Sequence, residues 1–254
     1  MRALILIALA ACSPPAEAAP LRFVSLNIAS GVAGYGNAGD RANQSAYLAG
    51  LHPDLVGMQE VDVGVARSGY GNTAQQSTAT MPGAVVFAKC SAVSPSTGAL
   101  TPGASGAVGV ALWVRAGLTI AEYWPVMVDF AAKADGGDDW PRCTLVAHIT
   151  GEGHDFIVAV AHLMTGDGDY ARKVRARSVQ QSVAYGVDVL VGDMNALGPE
   201  IAADLPLQYH LCSNPDTPGW IDQVWSRAPC TGRLVPTHNA SDHAYAAVAD
   251  VEIP

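Results

Sequence analysis

The sequence has no long apolar run beyond its first residues, and it has little charge, above all little positive charge. Only 15% of its 254 residues are charged, and 14 Lys and Arg stand against 23 Asp and Glu, which gives a net charge of −9. A basic coat for nucleic acid is therefore absent, although a local basic groove stays open as an alternative. Half of the residues are hydrophobic, so the chain can bury a large core, and disorder or coiled coil is excluded as a description of the whole.

The first twenty residues have the composition of a leader. Arg2 precedes an apolar run from Ala3 to Ala11 that is too short to span a bilayer, a pattern typical of a secretory signal peptide. Two processing sites stay open: Leu-Ala-Ala-Cys ending at Cys12, which is typical of a lipid anchor, and Ala-Glu-Ala ending at Ala18. We therefore expect an exported protein, either a lipoprotein of the periplasm or outer membrane or a secreted protein.

Cysteine is scarce, and no C-x-x-C pair is present, so neither a zinc ribbon nor a thioredoxin-like site is indicated. Four cysteines remain once Cys12 is set aside, and an even number in an exported chain predicts two disulfides with three alternative connectivities. Cys212 and Cys230 flank one loop-rich segment and are the preferred pair, which leaves Cys90 with Cys143.

Short apolar runs separated by Gly, Pro, Asn and Asp predict many strands and few helices. The predicted strands are LRFVSLN, DLVGMQE, AVVFAK, AVGVALWVR, PRCTLVAHI, DFIVAVAH, DVLVGD, DQVWSR and HAYAAVADVEI. Helical patterns lie at 44–51, at about 169–185 and near Pro199. Neither a repeat nor a linker is visible after residue 20. The sequence therefore predicts a leader at 1–20 and one α/β layered domain, which we expect to be monomeric, at 21–254.

Several predicted strands end or begin at a polar side chain that is able to bind a metal or a phosphate. One such residue alone is usually a turn residue. Six such strand ends in one chain instead favour a shared rim. The residues concerned are Asn27, Glu60, His162, Asp193 with Asn195, Asp222, and Asp242 with His243.

Read in order, these strand ends resemble the motifs of the endonuclease/exonuclease/phosphatase superfamily, which includes deoxyribonuclease I. The matching strings are LNIASG, PDLVGMQEVD, VAVAHL, VGDMNA, IDQVW and SDHAYAAVADV, and the resemblance covers residues 21–254. The string EVDVGVARSG further resembles small, often exported members. The resemblance implies a four-layer α/β sandwich, with two packed mixed β-sheets flanked by helices, and hydrolysis of a phosphate ester with Mg²⁺ or Mn²⁺.

The resemblance also implies a role for each motif residue. Because Mg²⁺ prefers oxygen ligands and keeps several waters, one or two carboxylates suffice, and the expected metal ligands are Glu60, Asn27 and Asp242. His243 is the expected general base, and Asp222 is expected to fix the tautomer of its ring.

The remaining motif residues are expected to contact the phosphate. Asp193 and Asn195, two apart in an extended run, would point to one face and orient the attacking water or contact metal and phosphate. His162 would bind a phosphate oxygen or help protonate the leaving group.

Two expectations around the phosphate have open alternatives. PRCTLVAHI resembles the segment with a phosphate-binding arginine, here Arg142, which would form a bidentate clamp. The alternative is a structural ion pair with Asp138 or Asp139. Residues 91–121 contain no Asp or Glu, whereas deoxyribonuclease I-like members have an acidic residue near mid-chain that orients the first histidine, so the orientation of His162 stays open.

The substrate is the least determined feature of the sequence. Positive side chains cluster once, at Arg172, Lys173, Arg175 and Arg177. A solvated surface is the simpler interpretation, and contact with a polyanion such as DNA is the alternative. We expect a phosphodiesterase or nuclease. A phosphatase acting on sugar phosphates or lipid head groups, and a binding module without turnover, stay as alternatives.

Overall fold

The structure is a computed structural model, and it describes residues 19–30, 38–128, 140–213 and 220–253. Within these ranges the chain forms twelve strands and four α-helices. The strands are β1 (Leu21–Asn27), β2 (Leu55–Val63), β3 (Gly83–Val93), β4 (Gly106–Arg115), β5 (Thr119–Met127), β6 (Cys143–Gly151), β7 (His154–His162), β8 (Val189–Asp193), β9 (His210–Leu211), β10 (Asp222–Ser226), β11 (Cys230–Pro236) and β12 (Tyr245–Val251). The helices are α1 (Ala38–Gly50), α2 (Thr73–Ser77), α3 (Asp169–Val183) and α4 (Gly198–Asp204).

The strands form two six-stranded mixed sheets. The first has the order β11-β12-β1-β2-β4-β3, and the second has the order β5-β6-β7-β8-β10-β9. β1 runs parallel to β2, and β7 runs parallel to β8. Because successive side chains of a strand point to opposite faces, each central strand has one row of side chains between the sheets and another toward the helices.

The two sheets pack face to face through an apolar layer. Phe23 and Leu55 of the first sheet meet Val160 and Val191 of the second in one buried cluster. The sheets approach each other closely at Gly57, where a Cβ atom would lie 2.4 Å from Cγ2 of Val191. The packing of one sheet on the other therefore requires glycine at this position.

Helices cover the outer face of each sheet. Leu48 of α1 and Ala74 of α2 pack on the first sheet, whereas Val179 of α3 and Ile201 of α4 pack on the second. The layers are thus helix, sheet, sheet and helix. This confirms the expected four-layer α/β sandwich.

The nine predicted strands are all present, but β5, β9 and β11 were not predicted. All three lie at a sheet edge, and most of their side chains are exposed or half-buried, so none has the apolar pattern that identifies a strand. Helix α1 begins at Ala38, earlier than the predicted 44. The last strand begins at Tyr245, so Asp242 and His243 lie in the turn before it.

Both disulfides of the preferred connectivity are present. Cys90 is bonded to Cys143 and Cys212 to Cys230, each with an S–S distance of 2.04 Å. The first bond joins β3 of the first sheet to β6 of the second, and the second joins the residue after β9 to the start of β11. The two bonds therefore connect the two sheets on opposite sides of the sandwich.

The predicted leader lies almost entirely outside the described residues, as do both of its alternative processing sites, at Cys12 and Ala18. In the part of the chain that the structure describes, no helix is long and apolar enough to cross a membrane.

Candidate active site

Five strands bring polar side chains together at one end of the sandwich. In the second sheet, His162 is paired in register with Asp193, and Asp193 with Asp222, so these three residues form a row across β7, β8 and β10. In the first sheet, Asn27 is paired in register with Gln59. The shared rim predicted from the strand ends is therefore present.

Glu60 reaches this rim because β2 is irregular there. The register with β4 shifts between Met58 and Val61, and Glu60 has a φ of +55°, a conformation that is uncommon for a residue with a Cβ. Bulges of this kind re-aim a side chain next to functional sites. The carboxylate accepts a hydrogen bond from Nδ2 of Asn27 at 3.1 Å.

Asn27 connects the two sheets. Its Nδ2 also donates to Oδ2 of Asp193 at 3.1 Å, and its Oδ1 accepts from the backbone N–H of Ala29 at 3.0 Å. The amide nitrogen therefore faces both carboxylates. In this orientation Asn27 is a hydrogen-bond donor to both carboxylates. Its Oδ1 could contact a metal only if the side-chain amide rotated so that its oxygen and nitrogen exchanged places.

His243 forms a buried pair with Asp222. Its Nδ1 lies 2.5 Å from Oδ2 of Asp222, which also accepts from Nε1 of Trp220 at 3.2 Å. The turn is fixed because the backbone N–H of His243 donates to Oγ of Ser241, which donates to the backbone oxygen of Asn27. With Nδ1 engaged, Nε2 faces the site, 3.7 Å from Oδ2 of Asp193.

Asp222 determines the protonation state of His243. Burial alone would lower the pKa of this imidazole, but the hydrogen bond and charge of Asp222, with the charge of Asp193, outweigh burial and raise the pKa to about 9. Asp222 therefore favours the protonated ring and holds it in one orientation.

Three carboxylates lie close together here, with Asp193 and Asp222 buried and Glu60 half-buried. Burial, followed by the charge of Asp222, raises the pKa of Asp193 to about 7. Burial also raises the pKa of Asp222 and that of Glu60, and for Glu60 the charges of Asp242 and Asp193 add to the effect. So much negative charge in a buried site favours a bound cation.

His162 is oriented by Arg142 and Asp193. Burial, together with the charges of Arg142 and His243, holds the pKa of His162 well below its usual range, so the ring is neutral. Nη1 of Arg142 lies 3.2 Å from Nδ1, and Oδ2 of Asp193 lies 3.4 Å from Nε2. A proton on Nε2 fits both contacts. Asp193 thus supplies the acidic partner for His162 that residues 91–121 lack.

Asp193 and Asn195 do not share an extended run, so that prediction was wrong. Strand β8 ends at Asp193, and Asn195 has a φ of +46°. The cause is a local turn in which Oδ1 of Asp193 accepts from the backbone N–H of Asn195, while Nδ2 of Asn195 donates to the backbone oxygen of Leu163. Both residues still line the same cleft.

The cleft at this rim has a volume of about 410 Å³ and lies between the strand ends of both sheets. It is lined by Glu60, Arg67, Val108, Trp140, Arg142, His162, Thr165, Asp193, Asn195 and His243. Asn27 and Asp222 are buried beneath it, and Asp242 is exposed beside it.

The sequence prediction missed Arg67, Trp140 and Thr165 as lining residues, although Arg67 lies in the ARSG string. Asp138 and Asp139, the alternative partners of Arg142, lie outside the described residues.

A larger cavity of about 820 Å³ lies elsewhere, at the opposite ends of β7 and β8, where Phe156, Asp188, Arg227 and Ile253 line it. It includes none of the predicted site residues. We assign the chemistry to the smaller cleft because the buried carboxylates and the His–Asp pair are there, and perturbed ionisable groups cluster at functional sites.

The residues at the rim fit a hard divalent cation. Among the described residues, no group of three or more His, Cys, Asp or Glu side chains is placed as a complete metal site. Mg²⁺ does not need such a group, because it keeps most of its waters and takes one or two carboxylates. Glu60 offers a carboxylate oxygen in the cleft, and Asp242 is near enough to raise its pKa.

A two-sheet α/β sandwich with its polar side chains gathered at one end of the strands defines the deoxyribonuclease I-like class. The model of the endonuclease/exonuclease/phosphatase family matches residues 24–243. The chain belongs to this family, whose members are typically hydrolases of phosphodiesters that use divalent metal ions.

Solved structures show the same fold at low sequence identity. An endonuclease/exonuclease/phosphatase from Beutenbergia cavernae is 19% identical with a TM-score of 0.68, over 92% of this chain and 72% of that one. The human Nocturnin catalytic domain with bound sulfate is 15% identical with a TM-score of 0.66, over 92% and 94%. Danio rerio TDP2 with a single-strand DNA product is 18% identical with a TM-score of 0.60, over 91% and 97%. No curated protein sequence matches this chain.

Proposed function

We propose that this protein is an exported, divalent-metal-dependent phosphodiesterase that cleaves its substrate by in-line attack of water. The observation that carries the proposal is the convergence, in one cleft, of the His243–Asp222 pair with Asp193, Glu60 and the Arg142–His162 pair. A phosphodiester is anionic and resists attack, so its hydrolysis needs both positive charge and a positioned base. This cleft offers both.

His243 is the proposed general base. Its Nδ1 is held by Asp222, so Nε2 is directed to the cleft and can take a proton from the attacking water. Asp193 lies beside the same Nε2 and can accept a hydrogen bond from that water, which fixes its position. General acid–base catalysis of this kind increases the reaction rate by about 10² to 10⁴-fold.

Arg142 and His162 are the proposed phosphate ligands. The guanidinium of Arg142 brings a charge that does not titrate near neutral pH and donates to phosphate oxygens in a fork. Neutral His162 has its proton on Nε2, which lies 3.4 Å from Oδ2 of Asp193. When a substrate binds, this proton can be donated instead to an oxygen of the phosphate or of the leaving group. Asn195, at the same cleft, can contact the phosphate through its amide.

Glu60 is the first proposed metal ligand, with Asp242 beside it and Asn27 as the residue that orients it. A divalent cation bound there would supply charge that stabilises the transition state. The ion is proposed as Mg²⁺, or Mn²⁺ in its place, because every donor offered is an oxygen.

A short or small phosphodiester fits the charge distribution better than a long duplex. Of the four clustered positive residues, Arg175 is buried and bonded to Glu200, which leaves Arg172, Lys173 and Arg177 exposed on α3. Duplex binding draws much of its affinity from several cationic contacts to phosphates. Export, as a lipoprotein or a secreted protein, is supported by the leader composition and by the two disulfides, which persist in oxidising compartments.

The proposal is tested by offering the purified protein a chromogenic phosphodiester, the matching phosphomonoester and plasmid DNA, each with Mg²⁺. We expect preferred turnover of the diester. His243→Ala should lower that turnover by about 10² to 10⁴-fold, while His210→Ala, which changes an exposed histidine on β9, should leave it unchanged.

The other outcomes separate the alternatives. Preference for the monoester would make the protein a phosphatase. Binding of phosphate without turnover of any substrate, by a folded and metal-loaded protein, would support a binding module. Equal turnover by the wild-type protein and His243→Ala would contradict the assignment of the base.

A further inference from the structure

Arg67 is a second cationic side chain at the cleft that the proposed chemistry does not use. It lines the cleft together with Glu60 and Arg142, and its side chain is 30% exposed. It therefore presents a positive charge to the space where a bound substrate extends beyond the reacting phosphate.

The guanidinium of Arg67 is held in place from behind. Its Nε and Nη2 donate to the two carboxylate oxygens of Asp62, at 2.8 and 2.9 Å. Asp62 lies on β2 and is fully buried, and its backbone N–H donates to Oγ1 of Thr73 at 2.9 Å. A bidentate contact to a rigid strand fixes the plane of the guanidinium, so little side-chain freedom is left to lose when a ligand binds.

The loop that contains Arg67 is also rigid. Arg67 is the middle residue of a 3-10 turn at Ala66–Ser68, which ends at Gly69 with a φ of +72°. The backbone N–H of Tyr70 donates to the oxygen of Val65 at 2.9 Å and closes the loop. A Cβ on Gly98 would lie 2.9 Å from Nη1, 3.0 Å from Cζ and 3.2 Å from Nε of Arg67, so glycine at that position lets the backbone pack against the guanidinium.

Asp62 occupies the edge of the guanidinium formed by Nε and Nη2, and among the described residues nothing forms a hydrogen bond with Nη1. We propose that Arg67 binds a second phosphate of the substrate, next to the phosphate held by Arg142 and His162. The preferred substrates are then phosphodiesters with a further phosphate on one arm. This inference rests on the proposed function for its chemistry, although the binding preference itself does not require turnover.

The test compares a dithymidine phosphodiester with its forms phosphorylated at the 5′ or at the 3′ end. Affinity is measured by calorimetry with Mg²⁺ on the His243→Ala background, and kcat/KM is measured with His243 intact. We expect one of the phosphorylated forms to bind more tightly by about ten- to hundred-fold, the range for a hydrogen bond to a charged group. Arg67→Gln should remove this preference.

Two further variants separate ligand binding from folding. Arg67→Gln alone leaves Asp62 as a buried charge without its partner, which destabilises the fold. Asp62→Asn with Arg67→Gln removes that charge, so it should regain stability but not the preference. Arg115→Gln is the matched control, because Arg115 is similarly exposed and also pairs with carboxylates, but away from the cleft. It should keep the preference.

Equal binding of all three dinucleotides by the protein with Arg67 intact would overturn the proposal, as would a preference that survives Arg67→Gln. Arg67 would then be only the structural partner of Asp62. If the protein with His243 intact turns over none of the three but the binding preference is present and needs Arg67, the proposed function is wrong and the second phosphate site stands.

Discussion

Asp222 shows how much a single buried carboxylate determines at this site. Its Oδ2 accepts from the ring of His243 and from the indole of Trp220, and it is the main cause that raises the pKa of His243. A protonated imidazole cannot accept a proton from water. Activity should therefore fall as the pH decreases through the pKa of His243.

Asp222→Asn should shift this loss of activity, the acidic limb of the pH–activity profile, to lower pH. The substitution removes the charge that stabilises the imidazolium, so the pKa of His243 falls and the neutral base persists to lower pH. The plateau rate should also decrease, because the amide no longer enforces the tautomer with Nε2 free. The measurement is kcat for the chromogenic diester from about pH 5 to about pH 10.

The control for this experiment is Asp155→Asn, which changes the partner of another histidine, His148, on the surface of the second sheet. Its pH profile should match that of the wild-type protein. An acidic limb that stays in place in Asp222→Asn would show that a group other than His243 titrates there.

At the residue level, the sequence predicts the motif side chains better than their neighbours. Glu60 lies within an apolar strand, Asp193 ends one and His243 precedes one, each in a recognisable string, and all three line one cleft as predicted. Arg67 and Trp140 reach the same cleft from loops, where no periodicity indicates the direction of a side chain. The conformation of Asn195 also depends on a bond to the side chain of Asp193, which strand alternation does not predict.

Helix α3 depends on one buried arginine. Nε of Arg175 donates to Oε1 of Glu200 on α4 at 2.7 Å, and Nη1 donates to the backbone oxygens of Met164 and Gly166. These bonds hold the loop after β7, which includes Thr165 at the cleft. The clustered arginines at the start of α3 are thus not one functional group.

Arg175→Met should lower the free energy of unfolding by about 3 kcal/mol, because it leaves Glu200 and two backbone oxygens without their donor. Arg172→Met, on the exposed face of the same helix, should change it by about 0.5 kcal/mol or less. Urea denaturation measures both. Similar effects of the two substitutions would contradict a structural role specific to Arg175.

At the level of elements, central strands are predictable and edge strands are not. β1 and β8 are buried on both faces and appear in the sequence as continuous apolar runs. β5 and β11 have few buried residues, because each has only one neighbouring strand and an open face. Their pairing partners, rather than their own residues, determine that they are strands.

For the whole molecule, the two disulfides connect the sheets on both sides of the apolar layer. Their sequence separations are 53 and 18 residues. In the loop-entropy description these correspond to about 4 kcal/mol for Cys90–Cys143 and about 3 kcal/mol for Cys212–Cys230. Cys143 also directly follows Arg142, so the first bond anchors the strand that presents this arginine to the cleft.

Replacing Cys90 and Cys143 by serine should therefore have two effects. The free energy of unfolding should fall by about 4 kcal/mol, and KM for the diester should rise because Arg142 is less well fixed. Replacing Cys212 and Cys230 should lower stability by about 3 kcal/mol with KM unchanged. Denaturation and steady-state kinetics on the two variants check this. Equal effects on KM would refute the link between Cys143 and Arg142.

The most direct test of the proposed function is the dependence of diester turnover on Mg²⁺ in the wild-type protein and in Glu60→Gln. We predict that a chelator abolishes turnover, that Mg²⁺ restores it, and that Glu60→Gln requires a Mg²⁺ concentration higher by about tenfold or more, because one carboxylate ligand is lost. Full turnover in the presence of the chelator, or the same Mg²⁺ dependence in both proteins, would contradict the metal site at Glu60 and the phosphodiesterase mechanism built on it.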